Sequence, residues 1–292
     1  MEFLTDPVGW WVDPIADNVF MQRALLAGLL AAVATAVVGT WVVLRGMSFF
    51  GEALGHGVLP GIALAFILGA DTTVGAFIAA GIMVAGINLV RSQSPLPEDT
   101  GIGLLFVGML ALTVVLLSTR QAAYTGDLSR FLFGSVTGVD RTDLIRQAVA
   151  TAVAVAGVVT LHRALLVMTF DETQARLMGL RPRATHALLL VLVAVAIVSA
   201  YEAVGSLLVF ALLVAPPATA TLVVRRVPMI MVVALAVGVA SVVVGVLVSF
   251  HHDTAAGATM ALTSVVTFFA VLAASVLRRR LTGQATPAGA RT

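Results

Sequence analysis

The sequence predicts an all-α membrane protein, a polytopic bundle of about eight or nine transmembrane helices. Three observations predict it. Of 292 residues, 60% are hydrophobic and only 11% are charged, under half the roughly 25% of a soluble domain. The mean hydropathy is +1.05. Apolar runs of about 20 residues, long enough to span a bilayer as a helix, recur from residue 24 to residue 277.

Residues 1–22 carry Glu2, Asp6, Asp13 and Asp17 where a signal peptide has its positive region. Trp10 and Trp11 mark this stretch as an extracytoplasmic interfacial segment. Residues 23–280 form one transmembrane domain, and 281–292 a cytoplasmic tail. The apolar runs fall at roughly 24–44, 48–69, 74–90, 101–118, 143–167, 186–201, 205–224, 229–250 and 258–277. Only Glu202, Ala203 and Val204 separate the sixth from the seventh. That pair reads either as two spans with a tight turn or as one span and a re-entrant piece.

Arginine placement sets the orientation, because cytoplasmic loops hold the excess of positive charge. All 17 basic residues are arginine. With the triplet 278–280 cytoplasmic and nine crossings, twelve arginines fall inside and five outside. The N-terminus is then outside and the C-terminus inside.

The loops follow. Residues 91–100 form a polar turn in which Asp99 or Thr100 is placed to cap the next helix. Loop 119–142 contains Phe131-Leu132-Phe133-Gly134, apolar enough to dip into the membrane surface. Loop 168–185 predicts a short cytoplasmic helix, capped by Asp171, ended by Gly179 and stopped by Pro182. It is either a plain connector or a docking element for a soluble partner. His162 and His186 are read as interfacial, and Glu202 as structural. His251, His252 and Asp253 lie in an outside loop. His252 and Asp253 are candidate metal ligands, although adjacent residues rarely converge on one ion.

Composition also excludes functions. There is no cysteine, which removes disulfides and thiolate ligands. Without lysine the chain cannot supply a P-loop. Its sequence pI of about 9.9 comes from arginines at membrane edges, and no basic run interleaved with aromatics points to nucleic acid. No nucleophile–base pair and no H-E-x-x-H helix is present, so an embedded enzyme has little support.

One stretch stands out. Residues 45–61 read Arg-Gly-Met-Ser-Phe-Phe-Gly-Glu-Ala-Leu-Gly-His-Gly-Val-Leu-Pro-Gly. Glu52 and His56 are four apart, on one face of a helix. Ionisable residues inside a membrane are costly and point to function, and carboxylate plus imidazole suits zinc or manganese. The alternative is that the two simply bond each other or neighbouring helices. Gly51 with Gly55, and Gly57 with Gly61, have the small-residue spacing of close helix contacts in lipid. Pro60 predicts a kink.

These residues resemble a known family. Met47 through His56, with Leu59-Pro60-Gly61, are similar to the "MS-x-x-GDALSHA-x-LPG" stretch of ABC-transporter permeases for zinc and manganese. Glu98-Asp99-Thr100 with Gly101-Ile102-Gly103 resembles that family's "EDT-x-IG" turn, and Phe131 through Gly134 its "YLFG" segment. Phe170-Asp171-Glu172 with Ala175 and Gly179 resembles its "FD-x-x-x-A-x-x-x-G" element. Val204 through Leu208 with Pro216 through Ala220 resembles "VGALL…PAATA", and Asp253-Thr254 with Gly257 its "D-x-x-x-G" loop. Two departures bear on geometry. Glu52 stands where aspartate is usual, one methylene longer, and Gly55 and Gly57 stand where Ser and Ala are common.

The resemblance implies a homodimeric permease of an ABC importer in the bacterial inner membrane. A separate cytoplasmic ATPase would drive it and an extracytoplasmic solute-binding protein would feed it. It implies no permanently bound cofactor, only transported Zn2+ or Mn2+. Glu52 and His56 would line the ion path. The helix at about 170–180, with Asp171, Glu172, Ala175, Arg176 and Gly179, would couple to the ATPase. The competing classes are an ion- or proton-coupled secondary metal carrier, with Glu52–His56 as a proton relay, and an ABC permease for a metal chelate.

Overall fold

The computed structural model describes residues 18–95, 97–118 and 140–281. The readings placed on residues 1–17, on 131–134 and on 282–292 lie outside them, as does the side chain of Glu202. The regular structure described is entirely helical. In chain order the helices are α1 Val19–Leu44, α2 Ser48–Gly57, α3 Leu59–Leu68, α4 Thr72–Gln93, α5 Glu98–Ser118 and α6 Arg141–Phe170. They continue as α7 Glu172–Leu177, α8 Pro182–Val204, α9 Ser206–Val223, α10 Val227–His252 and α11 Ala256–Leu281. Among the described residues nine segments are long and apolar enough to cross a membrane, with α2 and α3 together making one of them.

The sixth and seventh runs are two separate spans. α8 ends at Val204, Gly205 turns the chain at φ 80°, and α9 starts at Ser206. A side chain rarely adopts that φ, so glycine is required there. α9 continues through Pro216 and Pro217.

α1 is the central helix, packed by α6, α8, α9 and α10. Its buried face is built from small residues: Ala24, Ala27, Ala31, Ala32, Ala34 and Ala36 with Gly28 and Gly39. A Cβ on Gly39 would strike the Leu213 carbonyl of α9. Helix association in lipid depends on such close approach. Gln147 adds a polar tie, its Nε2 donating to the Ala27 carbonyl at 2.9 Å.

α2 to α5 form a second group, joined to the first where α4 meets α8 and where α2 meets α8 and α9. At the position expected to kink, the helical pattern is interrupted. The helix breaks at Val58, between α2 and α3, with Pro60 in the first turn of α3. Pro60 has no N–H to give, and the Gly61 N–H reaches back only to the Val58 carbonyl. Gly61 then packs directly on Gly75 of α4: a methyl on either would collide with the other's carbonyl oxygen.

Four local expectations are corrected. α5 begins at Glu98 rather than after an Asp99 or Thr100 cap. Pro182 does not merely stop the preceding helix; it opens α8, where its missing N–H is harmless. His186 is buried rather than interfacial, at 1% exposure. Gly55 is not a contact glycine, since a Cβ there would meet nothing within 4 Å, whereas Gly51 abuts Leu213 and Gly57 abuts Met83.

Two alanine substitutions on α4 separate contact from propensity. Gly75→Ala overpacks a backbone contact and should destabilise by about 1–3 kcal/mol. Gly81→Ala enters open space and should be neutral or stabilising by up to about 1 kcal/mol. Thermal unfolding of the detergent-solubilised protein should show Gly75→Ala melting lower and Gly81→Ala not.

Candidate ion path and coupling element

α2 is two-faced. Phe50, Ala53 and Leu54 are buried in the core. Phe49, Glu52 and His56 lie on the other face, with Phe49 40% exposed and the Glu52 and His56 side chains 36% and 22% exposed. His56 Nε2 and Glu52 Oε1 are 3.0 Å apart, so the Nε2–H tautomer donates to the carboxylate. Phe106 of α5 meets the imidazole edge-on at a centroid distance of 6.0 Å, and meets Phe49 at 5.7 Å. The pair thus sits in a partly open apolar wall, at the helix that Pro60 kinks and Gly61 anchors. Tyr201 of α8 is buried, at 2% exposure. Nothing in the sequence pattern singled Tyr201 out.

His252 and Asp253 are exposed, at the end of α10. Asp253 is the C-cap in the left-handed region at φ 50°. His251 instead bonds through Nδ1 to the Leu247 carbonyl, 2.8 Å away. Among the described residues no three or more His, Asp or Glu side chains converge. Each candidate site, Glu52–His56 included, therefore offers at most two such side chains from one chain.

The short helix forms as expected, in compact form. Asp171 caps it, accepting from the Gln174 N–H at 2.9 Å. Gly179 leaves it at φ 74°, and the Leu180 N–H closes on the Ala175 carbonyl. Ala175 is fully buried; Glu172 and Arg176 face outward. Arg176 Nη2 donates to Glu172 Oε1 at 2.8 Å. This hydrogen bond, aided by the charges of Arg91 and Arg45, holds the Glu172 carboxyl below its ordinary range against the opposing effect of burial.

A membrane-spanning helical bundle with an ionisable pair on a kinked inner helix and a capped helix among arginines defines a membrane transport subunit. The chain belongs to the ABC 3 transport family, whose model matches residues 17–275. It is the multi-pass permease of an ABC transporter in the bacterial inner membrane; ATP hydrolysis resides on a separate chain. It is similar to the manganese transport system membrane protein MntC of Halalkalibacterium halodurans, 35% identical over 89% of this chain and 88% of that one. It is also similar to the chelated iron transport system membrane protein YfeD of Yersinia pestis, 37% identical over 82% and 80%. A solved structure of PsaBC from Streptococcus pneumoniae in complex with Fab matches with a TM-score of 0.81 and 30% identity, covering 93% of this chain and 98% of that one.

Removing the Asp171 cap should loosen α7 alone. Asp171→Ala should cost about 1 kcal/mol of local helix stability, seen as faster amide exchange over 173–178 with the spans unchanged. The lowered Glu172 pKa has a defined sign: its pairing stabilises the fold above the unfolded carboxyl pKa of about 4.3 and is lost as pH falls through the lower folded value. Exchange protection around α7 should therefore be flat from pH 8 to about 6 and fail only in acid.

Proposed function

We propose that this permease moves a free divalent transition-metal ion, manganese or zinc, into the cytoplasm along a path lined by Glu52 and His56. The single observation that supports it is the partly open Glu52–His56 pair on the kinked inner helix. A carboxylate and an imidazole replace part of a divalent ion's hydration shell. Two ligands alone hold an ion weakly. A second copy of the chain across a two-fold axis would offer two carboxylates and two imidazoles, a full set for a tetrahedral ion. His252 and Asp253, exposed on the extracytoplasmic side of this reading, are candidates for receiving the ion from a solute-binding protein. The name of the MntC relative favours manganese. The name of the YfeD relative favours a second cargo, iron or its chelate.

In this reading α7, with Asp171, Glu172, Ala175, Arg176 and Gly179, docks into the cytoplasmic ATPase. The N-terminus is extracytoplasmic and the 281–292 tail cytoplasmic. The cysteine-free chain makes the orientation testable: a cysteine at Thr173 should resist an impermeant thiol reagent added outside intact cells, and labelling from outside would reverse the assignment.

The ion path is tested by uptake per folded permease. Glu52→Gln and His56→Ala should each reduce manganese or zinc uptake by at least about tenfold, the scale on which even outer-shell partners of a metal act. Glu52→Asp should retain transport with an altered preference among divalent ions. Uptake at the parental rate in both Glu52→Gln and His56→Ala would make the pair structural. Intact uptake in a strong chelator, with no uptake of the free ion, would instead make the cargo a chelate.

A further inference from the structure

α4 is tied at its two ends to the consecutive helices α6 and α7. At one end Arg91 Nη2 stands 3.6 Å from Glu172 Oε2 of α7. At the other, Asp71, the N-cap of α4, stands with Oδ2 3.7 Å from Arg146 Nη2 of α6. α6 and α7 are joined through Asp171 alone, the C-cap of one and the N-cap of the other. Between the two ion pairs α4 and α6 scarcely touch. Both pack on α8, and towards the Asp71 end a cavity of about 600 Å³ lies among Val74 and Phe77 of α4, Val149 and Val153 of α6, and Val195 and Val198 of α8.

The Arg91–Glu172 pair is placed for more than stability. Both side chains are partly exposed, at 28% and 39%, and such pairs contribute little to folding. The geometry is nevertheless constrained. Arg176 holds Glu172 Oε1 at 2.8 Å, which leaves Oε2 to Arg91. Arg45, from the turn after α1, also acts on Glu172. On its other side α4 is locked to α3 by the Gly61–Gly75 backbone contact, and α3 continues across the Val58 break into the helix of Glu52 and His56. An unbroken series of contacts thus runs from α7 through Arg91 to the ionisable pair.

We propose that the Arg91–Glu172 ion pair is the strap through which displacement of α7 reaches the ion path, so that Arg91 and Glu172 are positioning residues for transport. The proposal rests on the reading of α7 as the ATPase-docking helix. The pair stays closed through the cycle, α4 moves with α7, and the glycine contact passes the movement to the kinked α2–α3 helix. Packed helices move as units of this kind, because tight contacts do not stretch.

The test uses the complete transporter, permease with its ATPase, in proteoliposomes. Arg91→Gln should leave ATPase co-purification and ATP hydrolysis near the parental level. Manganese moved per ATP should fall about tenfold, within the usual range of coupling effects. A purely structural pair would lower folded yield and leave that ratio unchanged. A second variant replaces the ion pair by a covalent one. Arg91→Cys with Glu172→Cys should be uncoupled when reduced. Bridging with a short bis-methanethiosulfonate reagent should restore the ratio, and dithiothreitol should abolish it again. A parental ratio in Arg91→Gln, loss of the ATPase from that variant, or a bridged pair that stays uncoupled would each overturn the strap. Ala175→Pro, which breaks α7, tests the docking reading separately. If it keeps ATPase binding and uptake, docking at α7 fails; if it loses both while Arg91→Gln keeps the parental ratio, only the strap fails.

Discussion

The fold depends on how helices hold together in a solvent as apolar as their own side chains. Lipid offers no hydrophobic gain for helix association, so contact must come from close packing and from hydrogen bonds. That explains the composition of α1. Its buried face is alanine and glycine rather than leucine, and four helices close on it. The Gly39 contact on the Leu213 carbonyl and the Gly61–Gly75 contact are the same device at two places. Three buried threonines meet the complementary demand that a polar group in hydrocarbon find a partner. Thr35, Thr40 and Thr219 each donate to the carbonyl four residues back at 2.7 Å, so they are stored without cost to packing.

Against that background the ionisable groups divide by position. Arg91, Glu172 and Arg176 cluster at one end of the bundle, and Asp71 pairs with Arg146 at the other. Among the described residues, Glu52 and His56 alone pair a carboxylate with an imidazole at hydrogen-bonding distance, on a helix whose other face is buried. The interruption at Val58 comes two residues after His56, and Pro60, two residues further on, withholds a donor there.

Much of this was legible in the sequence. Length and apolarity located the spans, because the thickness of the bilayer sets helix length whatever the packing. Pro60 announced the kink, and Asp171 with Gly179 announced α7, because caps and turns are local. Packing partners were not legible. These helices are apolar nearly all round, so no periodic stripe says which face meets which neighbour. Gly55 and Gly61 look alike in sequence, yet one faces open space and the other a backbone oxygen of α4. Gln147 bonds a carbonyl 120 residues away, and Arg91 meets Glu172 across the length of α5 and α6. His186 was misplaced for the same reason: its place near a span's end said nothing of α8 being enclosed there.

An incomplete ligand pair is what a path requires and a storage site does not. A closed four-ligand site holds its ion as part of the fold. A conducting site must bind well enough to admit the ion and weakly enough to release it. Glu52 and His56 satisfy each other at 3.0 Å, so neither polar group is stranded. In the proposed path an arriving cation would compete with that hydrogen bond, which would lower its net affinity by the same amount. On the proposed reading, separating Glu52 from His56, or from ligands brought by another copy, would let the ion go. A small rotation of that one helix would be enough, and the close Gly61–Gly75 contact is where α4 would impose it in the proposed mechanism.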